Sequence, residues 1–477
     1  MADQNYLSEA QSFSIKTTNN RNKEKRQTAK IEQNAKKTKT DQNGLNLNRF
    51  EDFIANKNRE KLNIDLKNSS NHFRFVEPVL ERRHEALQKR IDFIANRFKK
   101  LQKIDNFEFT AVSALSESVQ NFVIGFVAKD GESRLNKKNI YLQGCQSISN
   151  GEKISLNLDA IKKSISLFPG QVLVVKGSVI EEPRRELMAT EIFDDFYSKK
   201  PENFSIENAF DFVFVSGPYF GPDNVKYEKS FLPKFAEILK EKAPSVLIMT
   251  GPFVSEDFPM LPNLNKTFSE TFSDLMKSFF EDIETLFQVK SFKVLVIPST
   301  KDVNATPFYP QPSFKNLTIN ENLHFLTNPA SFSINGCKFC VTAADTVFDI
   351  LQSDLRLANG EKTTKNGERW ENLSSHLLRQ KWLYPIYPPK NEKIDFENYS
   401  KLKIADDSEP NVLIWTSPST KISNRLANCF VFEDKLSAIV YPGHLANNSG
   451  ARGNYLEAKM RTGSSIADSF AFRINKL

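Results

Sequence analysis

The sequence has few cysteines, few histidines and no long apolar run. Many cysteines, many histidines and long apolar runs are typical of secreted, metal-dependent and membrane proteins, respectively. The chain has 4 Cys and 5 His among 477 residues. No run of about 18 apolar residues occurs, and the chain is polar from Ala2 to Lys30, so we expect neither a membrane span nor a secretory signal. Four cysteines suit a reducing compartment better than a disulfide framework. We therefore expect an intracellular protein.

Common catalytic motifs are absent as well. The chain has no Gly-x-Ser-x-Gly elbow, no Walker loop and no dinucleotide fingerprint. Its net charge of +7 is mild for 477 residues and does not by itself indicate nucleic-acid binding. A chain of this length has room for two or three domains. Large size without a chemical motif favours a scaffold or binding subunit over an enzyme.

Cys337 and Cys340 form a single Cys-x-x-Cys pair within the alternating segment SINGCKFCV. No second pair completes a tetrahedral metal site. We therefore interpret both cysteines as packing residues of a strand, with a ligand role as the alternative.

Residues 1–70 are rich in Asn, Gln, Lys and Thr and have few periodic apolar positions. Such a composition buries too little surface to offset ordering, so we predict a flexible basic arm. Its basic residues have the layout of a bipartite nuclear import signal: Lys25, Arg26, Lys36, Lys37 and Lys39. A solvated charge run is the alternative interpretation.

Residues 71–105 carry an amphipathic helical pattern. Its stripe has alternating spacings of four and three: Leu80, His84, Leu87, Ile91, Ile94, Phe98 and Leu101. About three heptads are marginal for an independent coiled coil, so the helix is expected to dock on its own chain or on a partner.

Residues 106–198 contain about five short strands separated by turns, which predicts a small β-barrel of the oligonucleotide/oligosaccharide-binding (OB) type. Phe122, Phe126 and Tyr141 fall within apolar alternation. They are core residues in a structural barrel, or stacking platforms if the barrel binds single strands. We favour the structural barrel.

Residues 208–477 begin with a βαβαβ pattern. Strands at 211–216, 245–250 and 294–297 alternate with helices at 228–242 and 268–288, which predicts a largely buried parallel sheet. We expect three later strands to extend it, at 332–343, 411–416 and 436–441.

In open α/β sheets, the residues that bind ligands or catalyse reactions lie at the carboxyl ends of the strands. The residues at those ends are Ser216, Gly217, Gly251, Ser299, Asp302 and His444. A dinuclear metallophosphoesterase holds two cations about 3.5–4 Å apart at such a position, and it needs several carboxylates and imidazoles.

Those ligands are missing here. Ser216-Gly217-Pro218 stands where an Asp-x-His is required, and Gly251-Pro252-Phe253 where an Asp should bridge the metals. The segment Pro298–Asp302 replaces Gly-Asn-His-Asp, and Lys301 within it adds a positive charge. His444 keeps one His of a Gly-His-x-His. We predict a degenerate metal site with no metal, no other cofactor and no catalytic residue.

Six segments occur in one order along the chain: LFPGQVLVVKGSV, TGPFV, VIPSTKDVNATPFYPQPSF, SFSINGCKF, LRQKWLYPIYPP and GHLANNSGARGNYLEAKM. This series resembles the B (second, regulatory) subunits of DNA polymerase alpha–primase, from about Phe75 to the C-terminus. DVNATPFYPQPSF and YPIYPP are its most specific parts. The accessory subunits of polymerases delta and epsilon share the architecture, but these motifs point to alpha.

The resemblance implies an α+β multidomain protein. An OB-fold β-barrel at 106–198 would pack on an inactive calcineurin-like metallophosphoesterase domain, an α/β sandwich, at 208–477. It also implies a non-catalytic subunit in the nucleus that binds the C-terminal zinc-bearing module of the catalytic polymerase subunit. The chain would associate with the primase subunits through the complex. This complex starts DNA replication by RNA–DNA primer synthesis. The chain's own contact with DNA would be indirect or weak.

A partner interface of this kind should be wide and rich in aromatic residues. Our candidates for it are Phe308, Tyr309, Trp382, Tyr384 and Tyr387; internal packing between the two domains is the alternative. Two other functions stay open, an active metal-dependent phosphoesterase and a stand-alone single-stranded nucleic-acid binding protein.

Overall fold

A computed structural model gives the fold of this chain. It describes residues 50, 62–66, 72–74, 80–102, 108–117, 119–197, 205–219, 231–255, 272–314, 317, 319–357, 366–419, 422–432, 435–446, 453–463 and 466–477. The basic cluster Lys25, Arg26, Lys36, Lys37 and Lys39, with nearly all of the predicted arm, lies outside these residues. None of the described helices has the length and apolar composition that a membrane span requires.

The first part of the chain contains one long helix and a run of short strands. Its elements are β1 (Ile64–Asp65), α1 (Leu80–Gln102), β2 (Asn121–Lys129), β3 (Ile140–Gly144), α2 (Gln146–Ser149), β4 (Lys153–Asn157), β5 (Ile165–Leu167), β6 (Val172–Ile180) and β7 (Glu186–Phe193). In α1, Leu87, Ile91, Ile94 and Phe98 are buried, whereas His84 is exposed.

Five of these strands close into a barrel in the order β2-β3-β4-β7-β6. Neighbours are antiparallel except β4 and β7, which are parallel. Successive side chains of a strand point to opposite faces, and on β2 Val123 and Val127 fill the barrel while Ile124 and Phe126 join a second core outside it. The predicted five-stranded barrel is confirmed, and its outer face on β2 is covered.

The second part of the chain supplies two sheets and their helices. Its elements are β8 (Phe210–Ser216), α3 (Leu232–Lys242), β9 (Val246–Thr250), α4 (Phe272–Phe287), β10 (Lys293–Ile297), β11 (Leu323–Phe325), β12 (Ala330–Ile334), β13 (Cys337–Ala343), α5 (Thr346–Ser353), β14 (Leu355–Leu357), α6 (Asn366–Arg379), β15 (Val412–Thr416), β16 (Asn428–Phe432), β17 (Ser437–Tyr441), β18 (Asn454–Met460), α7 (Ile466–Ser469) and β19 (Phe470–Lys476).

Strands β8, β9 and β10 are parallel neighbours, as the βαβαβ pattern predicts. They belong to sheet I, with the order β11-β10-β9-β8-β18-β19. The expectation that the later strands extend this sheet is wrong. They form sheet II, with the order β1-β12-β13-β15-β17-β16, because an apolar run shows that a strand is covered on both faces but not which sheet it joins.

The two sheets lie face to face. Their shared core includes Phe212 and Phe339, whose ring centroids are 5.4 Å apart. Helices α3 and α4 cover the outer face of sheet I, and α5, α6 and the barrel cover that of sheet II. One strand pair also joins the two parts directly, since β5 pairs with β14 in antiparallel fashion.

The segment predicted as one strand at 332–343 is a hairpin of β12 and β13. Asn335 and Gly336 turn it, with φ of 47° and 81°, the left-handed region that these residues tolerate best. Cys337 and Cys340, three positions apart on β13, therefore point into different cores on opposite faces of sheet II. The interpretation of both as packing residues is confirmed, and burial raises the pKa of both thiols.

Candidate functional site

The loops that follow β8, β9, β10 and β17 meet at one end of the two sheets. Backbone hydrogen bonds join them: Gly217 N–H donates to the Thr250 carbonyl and Gly251 N–H to the Ile297 carbonyl, both at 2.9 Å. Leu445 N–H donates to the Ser216 carbonyl at 2.9 Å. The structure thus brings together Ser216, Gly217, Gly251, Ser299, Asp302 and His444, which we call the strand-end cluster.

Asp302 ties two of these loops together. Its Oδ1 accepts hydrogen bonds from the backbone N–H groups of Phe253, at 2.5 Å, and Val254, at 3.3 Å, and its Oδ2 accepts one from Ser299 N–H at 2.8 Å. Burial raises the pKa of Asp302 to about 7, although these donors favour the charged form. Gly251 leaves room for the carboxylate, because a Cβ there would lie 2.1 Å from Oδ2.

His444 is likewise occupied by its own chain. Its Nδ1 donates to the Gly217 carbonyl at 2.9 Å, and its Nε2 faces the Tyr441 hydroxyl at 3.3 Å. Burial lowers the pKa of His444 to about 4, so the ring is neutral at neutral pH. Among the described residues, no group of three or more His, Cys, Asp or Glu side chains is arranged to hold a metal ion. The polar atoms of the cluster therefore serve to fasten the loops.

The aromatic candidates for a partner interface lie mostly inside the chain. Tyr309 is buried and shares a 2.7 Å hydrogen bond with Thr342. The other two buried candidates are Trp382 and Tyr384, and Tyr387 is half-buried. This placement matches the alternative of internal packing. Phe308 differs from the other four, with 45% of its surface exposed.

Two of the three barrel aromatics considered as stacking platforms, Phe122 and Phe126, are covered by α1. Phe122 packs against Phe98 of α1 at 6.2 Å, and Phe126 lies under the guanidinium of Arg90 at 5.7 Å. Tyr141 is half-buried on β3. The covered face of β2 therefore serves packing rather than base stacking.

Comparisons with known proteins agree with this architecture. A family model for the OB domain of the DNA polymerase alpha B subunit matches residues 84–195, and one for the B subunits of DNA polymerases alpha and epsilon matches residues 212–424.

Three relatives are named as the B subunit of DNA polymerase alpha. The Drosophila melanogaster protein is 30% identical over 299 residues, 62% of this chain and 45% of that protein. The mouse protein is 28% identical over 337 residues (68% and 53%), and the Saccharomyces cerevisiae protein 26% over 374 (71% and 50%).

The chain belongs to the family of DNA polymerase alpha B subunits. It spans about half the length of the curated relatives it matches.

In this B-subunit chain, one buried glutamine connects the barrel to the sheets. Gln380 Nε2 donates to the carbonyls of Val172, at 3.0 Å, and Asp194, at 3.1 Å. Its Oε1 accepts from Val172 N–H at 2.9 Å and from Arg90 Nη2 at 3.3 Å. Arg90 is fully buried and also donates to the Pro385 carbonyl at 2.9 Å. We call the meeting point of α1, the barrel and residues 380–399 the junction; no local sequence signal marks these two residues.

A buried acidic residue that the sequence did not predict lies beside the strand-end cluster. Glu392 is buried; its Oε1 accepts from Asp345 N–H at 2.7 Å and its Oε2 from Thr300 Oγ1 at 3.1 Å. Burial, together with the nearby Asp345 carboxylate, raises the pKa of Glu392 to about 7. Folding therefore buries an acid that is half-ionised near neutral pH.

Replacing Glu392 with glutamine should stabilise the protein in alkaline but not in acidic solution. Between pH 4.5 and about 7 the folded state keeps a proton on Glu392 that the unfolded chain has lost, so stability falls as pH rises through this window. The difference in pKa corresponds to about 3 kcal/mol at pH 8. We would measure the free energy of unfolding of both proteins in urea at pH 5 and pH 8.

The exposed Glu237→Gln variant is the matched control and should change stability by less than about 0.5 kcal/mol at either pH. An equal effect of Glu392→Gln at the two pH values would contradict the assignment.

Proposed function

We propose that this chain is a non-catalytic accessory subunit that holds the C-terminal zinc-bearing module of the catalytic subunit of DNA polymerase alpha. In this proposal it acts in the nucleus, in the complex with primase that starts replication by RNA–DNA primer synthesis. Its barrel domain, at 106–198, follows the helix at 71–105 and packs on an inactive calcineurin-like phosphoesterase domain at 208–477. Membership in the B-subunit family and the two-sheet architecture support this assignment.

The strand-end cluster is the observation that carries the proposal. A two-metal site needs several anionic ligands that point at a shared position. Here Asp302 accepts three backbone hydrogen bonds and His444 donates to the Gly217 carbonyl. Such contacts support a role as a rigid platform rather than hydrolysis. The covered positions of Phe122 and Phe126 also weigh against single-strand binding on this face of the barrel.

Of the five aromatic candidates, the exposed Phe308 is best placed to contact a partner protein. It projects from a loop that Tyr309 clamps, because Tyr309 N–H donates to the Lys393 carbonyl at 2.8 Å and Asp395 N–H donates to the Tyr309 carbonyl at 2.9 Å. An aromatic side chain on a loop whose backbone is already fixed loses less entropy when it enters a partner's pocket. Such residues dominate the binding energy of many interfaces.

Co-purification tests the proposal. The full chain, expressed with the C-terminal region of the catalytic subunit from the same organism, should elute with it as a stoichiometric complex. Phe308→Ala should weaken capture about tenfold without changing the unfolding midpoint.

Val431→Ala, which trims another exposed apolar residue, is the control and should bind normally. Normal capture by Phe308→Ala would remove this anchor. A wild-type chain that captures no polymerase subunit would overturn the function.

A further inference from the structure

A cavity of about 400 Å³ lies between α1 and residues 396–401, away from the strand-end cluster. Its cationic lining residues are Arg74, Arg82, Lys89 and Lys401. Its apolar lining includes Phe396, which is half-buried, and Trp382, which is buried. None of these residues takes part in the strand-end cluster, so the cavity is a separate feature of the molecule.

The walls of the cavity are fixed by hydrogen bonds and ring packing. The side chain of Asn398 contacts both backbone groups of Arg74: Oδ1 accepts from its N–H at 3.2 Å and Nδ2 donates to its carbonyl at 2.7 Å. Asn398 is buried. Trp382 packs near Tyr399, with ring centroids 5.0 Å apart, and Phe396 lies 5.2 Å from the same ring. A ligand would therefore meet a preformed surface.

The charges of the cavity are unequal. Glu85 and Glu397 are the two carboxylates that face the four cations. Glu85 pairs with Lys89 at 2.7 Å, and Arg82 lies 3.9 Å from Glu85 and 3.7 Å from Glu397. Two positive charges remain in excess, and a cleft with low-dielectric walls concentrates their field.

We propose that this cavity binds an acidic peptide segment of a partner protein. Clustered Arg and Lys side chains recognise acidic motifs, while the half-buried Phe396 offers contact area to an apolar side chain next to the acidic ones. The two carboxylates interrupt the positive surface, which disfavours the evenly charged backbone of a nucleic acid. This inference does not rest on binding of the catalytic subunit.

Fluorescence anisotropy with the full chain tests the proposal. The probe is a short labelled peptide in which Glu alternates with Leu and Phe, and a second peptide has Gln at every Glu. We expect the acidic peptide to bind more tightly at about 50 mM than at about 200 mM salt, and the Gln peptide to bind at least tenfold more weakly.

Charge reversal locates the site. Arg82→Glu combined with Lys89→Glu changes two exposed side chains on α1 and should weaken binding of the acidic peptide about tenfold or more. Lys138→Glu with Lys162→Glu makes the same net change on the exposed surface of the barrel and should leave binding within about twofold.

Equal weakening by the two pairs would overturn the proposal, since it would show attraction to the whole molecule. So would the absence of binding, or tighter binding of a labelled oligothymidine than of the acidic peptide. Both pairs should still co-purify with the catalytic subunit, which separates failure of this inference from failure of the proposed function.

Discussion

Replacing Gln380 with leucine should lower the free energy of unfolding by about 5 kcal/mol. The side chain is fully buried, and its amide satisfies the N–H and carbonyl of Val172, the carbonyl of Asp194 and the guanidinium of Arg90. Leucine fills a similar volume but leaves the two Val172 groups and the Asp194 carbonyl without this partner, at about 1–3 kcal/mol for each buried group. It also removes one of the acceptors of Arg90, which keeps its hydrogen bond to the Pro385 carbonyl. The hydrogen bonds that are lost lie at the junction, so the barrel should separate from the sheets before either part unfolds.

Urea unfolding measures the loss of stability, and limited proteolysis under native conditions measures the separation. Gln120→Leu is the control, because Gln120 is exposed on the barrel and should change stability by less than about 0.5 kcal/mol. If Gln380→Leu unfolded at the wild-type urea concentration, the amide would not hold the junction.

The sequence was most informative where periodicity alone decides the structure. Of the stripe predicted for α1, Leu87, Ile91, Ile94 and Phe98 are buried, Leu101 is half-buried and His84 is exposed. The apolar runs of β8, β9 and β10 predicted a parallel sheet covered on both faces. The register confirms the parallel pairing, and the cores on its two sides confirm the coverage. These features depend on patterns within a few turns or strands of chain.

Such local patterns could not predict contacts between residues that are far apart in the sequence. Arg90 has the sequence context of a solvent-exposed residue of an amphipathic helix, but its acceptors come from residues 380 and 385, almost 300 positions away. Sheet II was missed for the same reason. The Asn335-Gly336 turn inside the predicted strand at 332–343 was a usable hairpin signal, since this dipeptide adopts the left-handed conformation easily.

The strand-end residues were found because topology places them. The carboxyl ends of parallel strands meet at one edge of a sheet, so the five residues that follow β8, β9 and β10, from 216 to 302, could be grouped without a structure. His444 follows β17 of sheet II, and it was grouped with them on the incorrect expectation that this strand extends the same sheet. Aromatic anchors could not be chosen in this way. Tyr309 and Phe308 are neighbours in the sequence, but one is buried and the other is 45% exposed, and that difference depends on contacts with the loop at 393–395.

Replacing Gly251 with alanine should destabilise the protein by about 4 kcal/mol. The new Cβ would lie 2.1 Å from Asp302 Oδ2 and 2.9 Å from the Ser299 nitrogen. The Asp302 side chain would have to withdraw, and the N–H groups of Phe253, Val254 and Ser299 would lose their acceptor inside the protein. Gly131→Ala is the control: its φ is +72° but nothing lies near the new Cβ, so it should cost only about 1 kcal/mol.

A double-mutant cycle with Asp302→Ala shows whether the carboxylate is the cause. Asp302→Ala alone should be strongly destabilising, because it removes the same acceptor. Adding Gly251→Ala to it should then cost about 1 kcal/mol, since the clash with the carboxylate is gone and the contact with the Ser299 nitrogen remains. The two effects should therefore be far from additive. Additive effects would mean that the Ser299 backbone, and not Asp302, limits the space at Gly251. Non-additivity would show that one carboxylate and three backbone amides fasten the loops after β9 and β10 to each other.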